Sequence, residues 1–234
     1  MRADGRRHDE LRPLEIEVDY LEQPNGSALI SAGKTRVLCT ASITNGVPRW
    51  LMGKGKGWMT AEYGLLPAST GERTQREATS GKQKGRTVEI QSVRSLRSVT
   101  DLGALGERTL WIDCDVLQAD GGTRCAAISG AYVASRRALD RFGLGKALTD
   151  SVAGVSLGIV DGEALLDLDY PEDSRAEVDL NVVMSGDGRL IEVQATAEGE
   201  PYTRDQLDEL LDLAAGGIEE IMAAQQRAVE TVLA

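Results

Sequence analysis

The sequence predicts an α+β fold, with mixed sheets and helices packed on one side of them. Three observations lead there. Leu110 to Leu117 alternates strictly, with Leu110, Ile112, Cys114 and Val116 on one face and Trp111, Asp113, Asp115 and Leu117 on the other. The segment after it changes period: Ile128, Ala131, Ser135, Ala138 and Phe142 recur at helical spacing. The elements also come grouped, as strands, a helix, more strands and then helices.

Taken in order, Ile16, Val18 and Tyr20 alternate with acidic residues and read as a half-buried strand. Pro24-Asn25-Gly26 turns the chain. Ala28 to Ser31 and Thr35 to Ile43 are the next strands, joined through Gly33. Trp58 to Pro67 mixes apolar and polar residues around Glu62, and Val88 to Val99 has helical spacing. The helix after Leu117 starts with small residues, Ala126, Ala127, Ser129 and Gly130, which let it lie close on a sheet, and Phe142-Gly143 ends it. Val155 to Val160 and Ala164 to Leu168 form a hairpin across Asp161-Gly162-Glu163. Glu177 to Met184 and Leu190 to Ala197 form another. Thr203-Arg204-Asp205-Gln206 is a capping box that opens a last helix, which Gly216-Gly217 is expected to interrupt. With no linker and no repeat, residues 1–234 read as a single domain.

Composition excludes several classes. The chain is 41% hydrophobic, enough for a real core. No apolar run approaches the length of a membrane span, and the charged start MRADGRRHDELRP lacks the apolar segment of a secretory signal. Cys39, Cys114 and Cys125 show no metal spacing and read as reduced, packed thiols of a cytoplasmic protein. His8 is the only histidine, so a histidine triad and a zinc site are both ruled out within one chain.

The net charge of -11 hides an asymmetry. Between Arg49 and Thr100 ten Lys/Arg meet four Asp/Glu, whereas from Asp161 onward four meet nineteen. The basic part centres on GERTQREATSGKQKGRT, a polar, glycine-punctuated segment carrying Arg73, Arg76, Lys82, Lys84 and Arg86. It reads as a long loop suited to a polyanion.

Two constellations carry chemistry. Gly121-Gly122-Thr123-Arg124 lies between a strand and a helix. Such a turn exposes unpaired backbone N–H groups at the positive end of the helix dipole, which favours an anion. Thr123 adds a hydroxyl and Arg124 a fork of donors suited to phosphate oxygens, with Arg86 at the mouth of the loop as a second arginine. A tight turn with Thr123 as a helix cap needs the same residues. In the second constellation Glu177, Asp179 and Asn181 share one strand face, with Asp173 just before it. Paired carboxylates can bind Mg²⁺ or act as a general acid, and a solvated strand face has the same pattern.

The ordered set of motifs resembles the ribonuclease PH family of phosphate-dependent 3′→5′ exoribonucleases. It runs from DGR and DELRP through RVLCTAS, GVPRW, TAEYGLLP, REATSGKQKGRTVEIQ, DLGALGERT and IDCDVLQADGGTR to DSRAEVDLNVVM and AAQQ, nearly the whole chain. The resemblance implies a ribosomal-protein-S5-domain-2-like fold and a homo-hexamer built as a trimer of dimers. It implies that inorganic phosphate, as co-substrate, releases nucleoside diphosphates from the 3′ ends of RNA, typically tRNA precursors. It places phosphate binding on Arg86, Gly122, Thr123 and Arg124, and RNA contacts on Arg73 and Arg76. It places the acidic pair, tied to Mg²⁺ and to protonating the leaving oxygen, on Asp173 and Asp179. Ala68 stands where the family commonly has arginine, which implies one RNA contact fewer. The segments 89–95 and 142–155 are shorter than the family's, which bears on assembly. A non-catalytic RNA-binding ring subunit of the same fold is the alternative reading, which loss of Arg124 or Asp179 would have favoured. A small-molecule kinase lacks its glycine-rich nucleotide motif here.

Overall fold

Alternation and turn chemistry settle the strands. The computed structural model describes residues 2–73 and 93–233. β1 (Leu14–Val18), β2 (Gly26–Ala32) and β3 (Thr35–Asn45) form an antiparallel meander, with Gly33 in the left-handed region between the last two. β5 (Arg108–Gln118) pairs antiparallel with β3, and β4 (Trp58–Leu65) adds parallel to β5 at the edge. The resulting sheet is mixed, in the order β1-β2-β3-β5-β4. Along β5 the apolar set Leu110, Ile112, Cys114 and Val116 is buried, and Trp111 on the other face is 46% exposed. The strand faces are those the alternation predicts.

α1 (Thr123–Arg141) packs across β2 and β3 and also touches β6 (Val152–Val160). Its burial extends well beyond one stripe, from Cys125 through Leu139, because neighbours lie on several sides. Small residues make that possible. Phe142 departs from expectation. The spacing puts it on the apolar stripe, but it is the C-cap and is 46% exposed. Gly143 takes a left-handed φ of 68° while the Leu144 N–H donates back to Leu139 O at 2.8 Å, so the chain leaves the helix before Phe142 can pack.

β6 and β7 (Glu163–Leu166) form the first hairpin, turning on Asp161 and Gly162, both at positive φ. β7 stops at Leu166, short of the expected Leu168, because Asp167 also turns to positive φ. A short helix, α2 (Tyr170–Asp173), follows, closed by a capping box between Asp169 and Glu172. β8 (Val178–Ser185) and β9 (Leu190–Ala197) complete a second sheet, antiparallel throughout, in the order β7-β6-β8-β9.

α3 (Arg204–Leu233) covers this second sheet. Its capping box is formed as expected: the Thr203 N–H donates to Gln206 Oε1 at 2.8 Å, and the Gln206 N–H to Thr203 Oγ1 at 3.2 Å. Gly216-Gly217 does not interrupt it. The helix runs unbroken for 30 residues. A Cβ at Gly217 would come within 2.9 Å of the Leu166 side chain, so this glycine serves close approach to β7. Of the helix expected over 88–99, residues 93–98 are helical and 88–92 lie outside the described residues.

Among the described residues two large apolar clusters result, one between the first sheet and α1, the other between the second sheet and α3, with a small third one of Val160, Leu165, Leu168 and Ala176. β6 is buried at all nine residues because it serves both: Val152 belongs to the first cluster, and Ala153, Val155, Leu157 and Ile159 to the second. Gln225 ties the halves together. Its buried amide donates to Ser129 O on α1 and to Val152 O on β6, each at 3.0 Å. Among the described residues no helix is long and apolar enough to cross a membrane.

Candidate active site

The turn between β5 and α1 is built from two consecutive left-handed residues, Gly121 at φ 77° and Gly122 at φ 64°. Glycine is needed at Gly121 for a second reason: a Cβ there would lie 2.4 Å from Leu168 O. Gly122 is the N-cap of α1 and has no side chain to cap it. The first N–H groups of the helix therefore face the cleft with the positive end of the dipole behind them. Thr123 is not a cap, which removes the simpler reading of the motif.

The turn is braced from beneath. Arg12 is buried and forms a two-pronged pair with Asp167, Nε to Oδ2 at 3.0 Å and Nη2 to Oδ1 at 2.7 Å, while its Nη1 donates to Asp120 O. The Thr35 hydroxyl donates to Gly121 O at 2.7 Å and accepts the Asp120 N–H at 3.0 Å. The carbonyls are thus consumed on the inner side. Of the N–H groups, that of Asp120 is also taken up there, and those at the uncapped start of α1 remain for the cleft.

Thr123 and Arg124 open α1 and both line the cleft. Tyr63, from β4, stands with its hydroxyl 2.8 Å from Thr123 Oγ1. Arg124 Nη1 donates to Gln194 Oε1 on β9 at 2.8 Å, which fixes the guanidinium without neutralising it. Opposite lie Asp173, at the end of α2, and Asp179 on β8. Burial pushes the Asp179 carboxyl above its ordinary value, and the nearby Asp173 charge adds to this while Arg124 opposes it. Burial likewise raises Asp173, against the pull of Arg124 and Arg12. Beside them Asn181 donates to Asp179 Oδ1 at 3.5 Å and accepts the Cys125 S–H at 3.2 Å. Burial pushes that thiol up to about 12, so it is a packed donor rather than a nucleophile.

One cleft therefore holds five of the residues singled out in the sequence: Gly122, Thr123, Arg124, Asp173 and Asp179. Arg73 is exposed and immediately follows Glu72 on the cleft rim. Arg76 and Arg86 lie outside the described residues. Glu177, expected on the face of Asp179, is exposed and accepts the Gly162 N–H at 3.1 Å, away from the cleft. Four residues of the site are not singled out from the sequence: Arg12 and Asp167, Tyr63, and Gln194. Their partners are distant in the chain, and only the tertiary fold brings them together. Among the described residues, no group of three or more His, Cys, Asp or Glu is arranged to hold a metal ion.

Comparison with known proteins gives a consistent result. The first domain of the 3′ exoribonuclease family matches residues 10–138, and the second matches residues 150–217. Ribonuclease PH of Moorella thermoacetica is 57% identical, over 97% of this chain and 94% of that protein. Among solved structures, a chain of the Archaeoglobus fulgidus exosome with RNA bound to the active site superposes with a TM-score of 0.79 at 24% identity, covering 95% of this chain and 91% of its own. A chain of an archaeal exosome core superposes with a TM-score of 0.76 at 24% identity, covering 96% and 91%. At that identity the likeness is one of fold.

Proposed function

The chain belongs to the 3′ exoribonuclease family, and from that premise we propose that it shortens RNA from the 3′ end by phosphorolysis, releasing nucleoside diphosphates. The observation that carries this reading is the cleft: an uncapped helix N-terminus with Thr123 and Arg124 faces two raised carboxylates, Asp173 and Asp179. The first half suits an anion and the second suits proton donation.

In this reading the N–H groups after Gly122, the Thr123 hydroxyl and the Arg124 fork hold inorganic phosphate, with Arg86 as a further arm. A phosphate oxygen attacks the terminal phosphodiester, the bond to the 3′ oxygen breaks, and the leaving oxygen takes a proton from Asp179. The raised pKa of Asp179 keeps that proton available further up the pH scale. Most of the rate comes from positioning and from donors aimed at developing charge. Reversal adds a nucleotide from a diphosphate to a 3′ end.

Two carboxylates with raised pKa fit Mg²⁺, which is bound through one or two carboxylates with water and substrate phosphate completing its shell. Asp173 and Asp179 in their ionised forms would hold it, and its chemistry there would be to offset negative charge; in that state Asp179 would be a ligand and not the direct proton donor. Arg73 and Arg76 contact the RNA backbone, tRNA precursors being the substrate class. The assembly is a ring hexamer, a trimer of dimers, working in the cytoplasm. The reading as a non-catalytic ring subunit is disfavoured because Arg124 and Asp179 are both present.

Product analysis tests the proposal. End-labelled RNA should stay intact in phosphate-free buffer and yield nucleoside diphosphates when phosphate is added. Arsenate should substitute and give monophosphates, because its esters hydrolyse. Monophosphates at full rate without either anion would mean hydrolysis and would overturn the assignment.

A further inference from the structure

Tyr63 is half-buried on β4, opposite Cys114 of β5, and packs against the first apolar cluster, so its ring is fixed. Its hydroxyl lies 2.8 Å from Thr123 Oγ1, at the first residue of α1. Two hydroxyls at that distance share one proton, and each oxygen can both donate and accept. The more acidic group donates, and a phenol ionises near pH ~10, well below an aliphatic alcohol. Burial, the largest influence on Tyr63, raises it further, against opposing effects of Thr123 and the Arg124 charge, so the phenol keeps its proton.

We propose that Tyr63 is a positioning residue for the attacking phosphate: its O–H donates to Thr123 Oγ1 and leaves the threonine proton to point at the anion. The inference rests on the turn being the phosphate site. Tyr63 does not touch the phosphate. It converts Thr123 from a hydroxyl free to rotate into a committed donor, beside the backbone N–H groups and the Arg124 fork. A wall made only of donors is what an anion requires. Without the phenol, Thr123 is free to turn its proton elsewhere, and phosphate affinity falls while the chemistry at the 3′ oxygen is untouched.

The test is steady-state kinetics with inorganic phosphate as the varied substrate and RNA saturating. Tyr63→Phe keeps the ring and the packing and removes only the hydroxyl. The phosphate KM should rise about fivefold to tenfold, the scale of one hydrogen bond between neutral groups. Turnover at saturating phosphate and the RNA KM should stay within about twofold, as expected for loss of ground-state binding. Thr123→Val should raise the phosphate KM, Thr123→Ser should preserve it, and Tyr63→Phe should add nothing on the Thr123→Val background. Arg124→Lys serves as the reference for the site. If it raises the phosphate KM while Tyr63→Phe does not, the role of Tyr63 is wrong and the phosphate site stands. If neither variant changes it, the site assignment fails and the inference with it. A shift in the RNA KM as large as that for phosphate, or full additivity with Thr123→Val, also overturns it.

Discussion

Glu172 and Asp173 are adjacent in the same short helix, yet one carboxylate is held by arginines and the other is not. Glu172 is 4% exposed and takes two prongs from Arg2, Nε to Oε1 at 2.8 Å and Nη2 to Oε2 at 2.6 Å. Burial pushes its pKa up, but the Arg2 hydrogen bond and charge, the Asp169 N–H and Arg6 outweigh this and hold it below the ordinary value. Arg2 and Arg6 also donate to Asp167 O, and Arg12 grips the Asp167 side chain, so three buried arginines clamp the connection between β7 and α2. Asp173 faces the cleft. Among the described residues its carboxylate has no ion pair, and burial drives it the opposite way. The clamp neutralises charge to fix the frame. The cleft leaves charge uncompensated beside Arg124, where a substrate can use it.

The largest effect should come from breaking the clamp. Glu172→Ala leaves Arg2 buried without its carboxylate, a loss of roughly 3–5 kcal/mol in urea unfolding for such pairs. Activity per folded molecule should survive at temperatures where the variant remains folded. A full loss of turnover with unchanged stability would erase the distinction between the two regions.

Next comes Asp179→Asn. Turnover should fall on the order of 100-fold, the usual size of an acid–base contribution. Stability at neutral pH should hold or rise, because the amide removes a charge that burial and Asp173 both disfavour. Loss of stability with normal turnover would make the residue structural.

The pH dependences should have opposite signs. Glu172 has a lowered pKa, so its contribution to stability is present above the ordinary glutamate value and is lost as pH falls through the lowered one. Asp173 and Asp179 have raised values. Their contribution is present below the ordinary aspartate value and is lost as pH rises through the raised ones. Urea midpoints taken across acid pH should therefore show the deficit of Glu172→Gln shrinking toward low pH. The advantage of Asp179→Asn should grow toward neutral pH. Parallel curves for the two variants would contradict the comparison.

The smallest effect is expected at the rim. Arg73→Ala removes one exposed charge, so RNA affinity should drop by up to about 1.4 kcal/mol, or tenfold, with the salt slope reduced by about one. Filter binding across a salt series checks this. Unchanged binding at moderate salt would make Arg73 an ordinary solvated residue.

The cleft was more legible in the sequence than the clamp. Gly121-Gly122-Thr123-Arg124 sits on one strand–helix junction, and Asp173 and Asp179 are six residues apart, so local pattern makes them candidates and the family resemblance gives them roles. The clamp joins Arg2, Arg6 and Arg12 to residues more than 150 positions away, and no periodicity reports such a partner. Strands were readable wherever one face is wet, as on β5. Helix ends were harder. Phe142 fits the spacing but not the cap, and Gly216-Gly217 looks like a break until Leu166 shows why a Cβ is excluded. With no linker between them the two halves read as one domain, and we propose that they unfold together through Gln225 and β6. A single calorimetric transition is the expected outcome.

In the proposed reaction, phosphate held at the start of α1 is the attacking group. This is tested most directly by following radiolabelled inorganic phosphate in a reaction run in heavy-oxygen water. Phosphorolysis puts label from phosphate in the released nucleoside diphosphates and no heavy oxygen from water in them, and this transfer should be lost in Arg124→Lys. Heavy oxygen in nucleoside monophosphates, with no label transferred from phosphate, would contradict it.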